Sequence, residues 1–96
     1  MNQKVKSNER YESFSGISCD INSNQLILLL EKNINSGKGD KKWHDYFAQK
    51  RQQQAKLGHD NLHFIGNQTN VLYEYFAECH DQEAQALLYK IEQECC

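Results

Sequence analysis

The residues with the most reactive chemistry lie at the end of the chain. Cys95 and Cys96 are adjacent and terminal. A thiolate is both a nucleophile and a metal ligand, so the pair can be read as metal ligands, as a redox dithiol, or as part of a partner-binding end. A metal site needs three or four ligands in one place. The other soft or borderline donors are Cys19, Cys79, His44, His59, His63 and His80. A helix from Asp81 to Cys95 rises about 21 Å at 1.5 Å per residue, which puts Cys79 and His80 at the far end from Cys95. An antiparallel partner helix would instead bring its start, with His59 and His63, towards the cysteines. No Cys-x-x-Cys or other zinc spacing supports that cluster. The plainer reading makes Cys95 a small apolar residue closing a helical stripe and Cys96 a terminal thiol. A disulfide between the two neighbours would strain the intervening peptide and is not expected.

The remaining candidates read as structural. His59 and His63 are four apart, but His59 precedes a helix cap and reads as solvated. Cys79-His80 resembles a nucleophile with its base, yet adjacent helical side chains point about 100° apart, and Cys79 continues an apolar seam. Trp43, Tyr46 and Phe47 form a helical stripe of the kind that usually builds a core. Gly37-Lys38-Gly39 lacks the Lys-Ser/Thr of a phosphate loop. No carboxylate pair stands at catalytic spacing. These residues predict a protein that is not an enzyme and has no cofactor and no metal site. The candidate partner-binding residues are Glu92, Glu94, Cys95 and Cys96.

The elements that position these residues are predicted as four helices, near residues 22–36, 40–57, 60–79 and 81–94. The third organises the rest. Leu62, Ile65, Thr69, Leu72, Phe76 and Cys79 recur at steps of three, four, three, four and three, the seam that keeps one stripe of a helix against a partner. Asp60 is its N-cap. Gly66 sits mid-helix, where glycine costs about 1 kcal/mol relative to alanine, so either a neighbour packs close there or the helix is loosened. Asn22 and Gln25 make a capping box for the first helix, with Ile21 and Leu26 as its hydrophobic staple. Its stripe is Leu26, Leu29, Leu30 and Ile34, widened by Ile27 and Leu28. Asp40 and Gly58 bound the second helix, whose Gln-rich end is expected to face solvent or fray. Asp81 caps the fourth, with Ala84, Leu87, Leu88, Ile91 and Cys95 inward. The short His80-Asp81 turn makes helices three and four an antiparallel hairpin.

The fold class is thus all-α: a small bundle of about four helices with an extended N-terminal segment. Residues 1–10 are expected as a disordered tail and residues 11–96 as one helical domain, with 11–20 extended over the helices. Ninety-six residues allow one domain with a modest core. The longest apolar run, Leu26 to Leu30, is far short of the roughly 20 residues that cross a bilayer. The start MNQKVKSNER carries charge but no apolar signal core. A cytoplasmic protein without membrane contact is expected, with its four cysteines reduced. Residues 38–58 hold six basic and two acidic side chains, +4; residues 59–96 hold one basic and seven acidic, −6. The acidic half opposes phosphate binding, so nucleic acid is not the expected partner. Oligomeric state is not legible.

Three stretches together carry a family resemblance. They are Tyr11-Glu12-Ser13-Phe14-Ser15-Gly16-Ile17-Ser18-Cys19-Asp20, Trp43-x-x-Tyr46-Phe47, and Ala86-Leu87-Leu88 through Ile91-Glu92-Gln93-Glu94-Cys95-Cys96. They resemble the CowN family of nitrogen-fixation-sustaining proteins, which share this length and the terminal cysteine pair. The middle of the chain is richer in Lys, Asn and Gln than the family pattern. The resemblance implies a protein that sustains nitrogen fixation in the presence of carbon monoxide by protecting nitrogenase, its implied partner. It brings no catalytic or metal residues. Beside it, the residues leave three readings: a non-enzymatic protective binding protein, a thiol- or metal-based carbon monoxide or redox sensor built on Cys95 and Cys96, and a basic-helix nucleic-acid regulator.

Overall fold

The computed structural model describes the backbone of residues 11–95 and the side chains of residues 18–95. The tail expected at 1–10, and Cys96, lie outside the described residues. Four helices follow in order: α1 Tyr11–Asn35, α2 Lys41–Leu57, α3 Asn61–Glu78 and α4 Gln82–Cys95. Among the described residues there is no strand.

The caps are the ones the sequence predicts. The Asp40 carboxylate accepts from the Lys42 amide at 3.0 Å, Asp60 from His63 at 2.8 Å, and Asp81 from Ala84 at 3.0 Å. Each satisfies an amide that a helix leaves unpaired in its first turn. Gly58 ends α2 in the left-handed conformation, φ 72°. At the end of α3 that role falls to His80, φ 57°, and its amide and that of Asp81 return to Ala77 O and Phe76 O. The first helix does not start at Asn22. It is already formed at Tyr11, the first described residue, so the capping-box residues Asn22 and Gln25 lie inside α1.

α1, α3 and α4 pack closely on one another, and α2 joins them through long side chains. The α3 seam is the centre of the core: Ile65, Leu72 and Phe76 are fully buried, with Cys79 nearly so. α3 buries a second face as well, through Phe64 and Tyr75, because it is covered from two sides. Tyr75 lies against Phe47, with ring centroids 5.5 Å apart, and against Trp43 at 6.0 Å. Leu26, Ile27, Leu29 and Leu30 of α1 are buried; Leu28, expected to widen that stripe, is 60% exposed.

At Gly66 the helix is loosened rather than crowded. Nothing lies within 4 Å of where its Cβ would be. The backbone leaves helical geometry at Gln68 (φ −115°, ψ 15°), and the Thr69 hydroxyl donates back to Ile65 O at 2.9 Å. Such back-bonding bends helices. Tyr46 of α2 spans the bend, donating to Gln68 Oε1 at 2.6 Å.

The end of α2 faces solvent, as expected, at Gln52, Gln53, Ala55, Lys56 and Leu57, but it is tied down rather than frayed. Arg51 bonds Asn61 Oδ1 at 3.0 Å, pairs with Glu31 at 3.3 Å and lies over the Phe64 ring. Gln54 donates to the His59 carbonyl and to Asn61 Oδ1. Long polar side chains here do the joining that apolar ones do elsewhere.

Candidate functional site

Of the residues predicted for partner binding, Glu92, Glu94 and Cys95 lie on the last turn of α4, and Cys96 lies outside the described residues. Glu94 is exposed. Glu92 is half-buried and accepts from the Tyr73 hydroxyl of α3 at 2.9 Å, so only part of it faces solvent. Burial and this carboxylate push the Tyr73 phenol up to about 12. Beside them stands Tyr89, 59% exposed, which the reading of apolar periodicity passes over. Tyrosine is enriched where proteins meet.

Cys95 is not a free thiol. It is bonded to Cys19 of α1, with Cα atoms 5.8 Å apart. Reduced cysteines were expected throughout; among the described residues only Cys79 is free. The pairing joins residues 76 apart, and nothing local in the sequence marks it. It follows from the register of α1 on α4. Asn33 of α1 donates to Asp81 Oδ2 at 2.8 Å. From Asn33 back to Cys19, and from Asp81 on to Cys95, is fourteen residues along each antiparallel helix.

The cluster of His59 and His63 with the terminal cysteines does not assemble. Among the described residues no three His, Cys, Asp or Glu side chains come together in a way that would hold a metal ion. The reason is helix length. α4 has 14 residues against 18 in α3, and Tyr73 meets Glu92, so Cys95 falls short of the start of α3. His59 and His63 do lie side by side, centroids 4.0 Å apart, and Asn67 Nδ2 is 3.3 Å from His63 Nδ1.

Cys79 and His80 are likewise separated in role. Burial pushes the Cys79 thiol up, which keeps it protonated and inert at neutral pH. His80 is exposed at the left-handed turn. The aromatic stripe of α2 is structural at Phe47, which is fully buried. Trp43 donates to Glu78 Oε1 at 2.9 Å, and Tyr75 to Lys38 O at 2.9 Å. No described helix is long and apolar enough to cross a membrane.

Comparison with known proteins points one way. Residues 3–96 match the family described as N2-fixation sustaining protein CowN. The chain is 40% identical over 88 residues to the N(2)-fixation sustaining protein CowN of Cereibacter sphaeroides, covering 92% of this chain and 94% of that protein. It is 41% identical over 87 residues to the protein of that name from Rhodobacter capsulatus, covering 91% and 92%. With that of Allochromatium vinosum it shares 30% identity over the full length of both. No solved structure gives a significant match. On this evidence the chain belongs to the CowN family of nitrogen-fixation sustaining proteins.

Proposed function

We propose that this protein sustains nitrogen fixation in the presence of carbon monoxide by binding nitrogenase and limiting its inhibition, without catalysing a reaction itself and while acting in the cytoplasm. Family membership along residues 3–96 carries the reading. The surface supports it: the end of α4 exposes Tyr89, Gln93 and Glu94. An aromatic anchor beside acidic side chains suits a protein partner, with the charge steering encounter and orientation more than it adds affinity.

The test is acetylene reduction by nitrogenase under carbon monoxide, with and without this protein, followed across added salt. Protection at limiting protein should fall with salt, because the Debye length shortens to about 10 Å at 0.1 M. Glu94→Lys and Tyr89→Ala should weaken protection while leaving the helical spectrum unchanged. Glu92→Lys is the less clean variant, since it also breaks the bond to Tyr73. Headspace carbon monoxide should stay constant. Its loss in proportion to the protein would make this an enzyme and overturn the reading.

A further inference from the structure

α1 carries a helix start that it does not use. The helix is already formed at Tyr11, the first described residue. The sequence holds the unused start at Asn22, with Gln25 three residues on and the Ile21–Leu26 staple around it. Four observations favour that unused start. Among the described residues, the stripe that α1 turns towards α4 runs Cys19, Ser23, Leu26, Leu30 and Asn33, and its first apolar aliphatic side chain is Leu26. Ser23 is 1% exposed, and its hydroxyl has no hydrogen-bond partner. Ile21 is 61% exposed, although the hidden start would pack it on Leu26. Gly16, Asn22, Ser23 and Asn24 are all poor formers of a helix interior. Beyond Cys19, α1 runs eight more residues, about 12 Å at 1.5 Å per residue, past the last residue of α4.

We propose that the Cys19–Cys95 disulfide is a reducible latch that keeps the start at Asn22 unused. With the bond intact, α1 is helical from Tyr11 through Asn22, and Ser23 is pressed into the bundle. When the bond is reduced, residues 11–21 leave the helix, and α1 begins at Asn22 with its cap and staple made. Extending the helix back through Asn24, Ser23, Asn22 and Gly16 fixes poor helix formers for one backbone bond each, and without the tie to α4 the cap and staple at Asn22 outweigh those bonds.

The chemistry is thiol–disulfide exchange with a dithiol reductant. The reductant's thiolate attacks Cys95 Sγ, the partly exposed sulfur, because Cys19 is only 6% exposed. An S–S bond forms between reductant and Cys95. The Cys19–Cys95 bond breaks, and Cys19 leaves as thiolate and takes a proton. The second thiol of the reductant then displaces Cys95, which takes the second proton. The chain gains two electrons and two protons, and the reductant becomes a disulfide. A disulfide oxidant such as glutathione disulfide reverses both steps.

Release uncovers the end of α4 around Cys95, which the disulfide holds against Cys19. That surface adjoins the partner-binding end assigned above. The latch stands without that assignment, and its test reads amide exchange rather than protection.

The experiment uses the full chain with Cys96→Ser, so that exchange between neighbouring thiols does not blur the result. One sample is oxidised with glutathione disulfide and one reduced with dithiothreitol. Peptide mapping should find Cys19 linked to Cys95 in the first. Amide exchange in residues 11–21 should be at least tenfold faster in the second, with residues 26–34 and 62–91 still protected. The Cys19→Ser, Cys95→Ser protein should match the reduced sample in either buffer. Asn22→Ala should lower the Tm of the reduced protein, where it removes a cap, and leave or raise that of the oxidised protein, where alanine replaces a poor interior residue. Equal exchange in the two redox states would overturn the latch. So would unfolding of the whole domain on reduction, or an Asn22→Ala effect of one sign in both states.

Discussion

The two ends of the bundle are closed by different means. At one end the α1–α2 loop meets the α3–α4 turn. There Tyr75 and His44 both donate to Lys38 O, Glu78 accepts from Trp43 and from the Asp40 amide, and Asp81 accepts from Asn33. Gly39 is required, because a Cβ at that position would stand 2.7 Å from Tyr75 Cε1 and its φ is +78°. At the other end, the join between α1 and α4 among the described residues is the Cys19–Cys95 bond. The first end is satisfied by many short-range bonds that no solution condition within the physiological range removes together. The second depends on one bond that a dithiol can cut. Groups set firmly in a network make poor switches, and a single labile tie makes a good one.

Four measurements break or sharpen this contrast, each made on oxidised and reduced protein. The largest effect belongs to the core shared by both ends. Leu72→Ala should cost about 2–5 kcal/mol in denaturant unfolding, since it opens a cavity at a fully buried position, and the loss should be equal in both redox states. Next comes the networked end. Asp81→Ala removes the α4 cap and leaves buried Asn33 with only its bond to Leu29 O. The expected loss is about 1–3 kcal/mol, again independent of redox state. A loss that doubled on reduction would mean that the two ends are not independent.

The third measurement is a pH series. Burial and Glu92 raise the Tyr73 phenol from 10.0 to about 12, and burial also raises Tyr75. The folded state therefore holds these protons after the unfolded chain has released them. Their contribution is complete below pH 10 and is lost as pH rises from 10 towards 12. Tyr73→Phe should flatten its share of that fall. An unchanged slope would mean that the Tyr73–Glu92 bond does not persist in solution. The smallest effect has the opposite sign. Gly66→Ala has open space around the new methyl and should stabilise by about 0.5–1 kcal/mol. A loss of stability would show that the bend at Gln68 needs glycine two residues before it.

Much of the fold was legible because it is local. Asp40, Asp60 and Asp81 cap as expected, since a cap needs only its own next three residues. The α3 seam was readable from spacing alone. Phe64 and Tyr75 escaped the reading because α3 is covered on two sides, while a single stripe describes one. Arg51 and Gln54 escaped it because polar side chains carry no periodic signal of burial, so the end of α2 looked free. At the candidate site Glu94 is exposed, while Glu92 is half taken up by Tyr73, a partner on another helix that the order of residues does not reveal.

The sequence by itself determined the four helices, most of their ends and the family, because capping, apolar periodicity and family motifs are written along the chain. Only the tertiary structure decided that Cys95 pairs with Cys19 rather than with a histidine cluster. It also decided that α1 runs on past its own capping box, and that Leu28 and Tyr89 face outward. Each of these turns on which helix lies beside which, and at what register. That is a property of packed helices of unequal length, and residue types taken in order do not contain it.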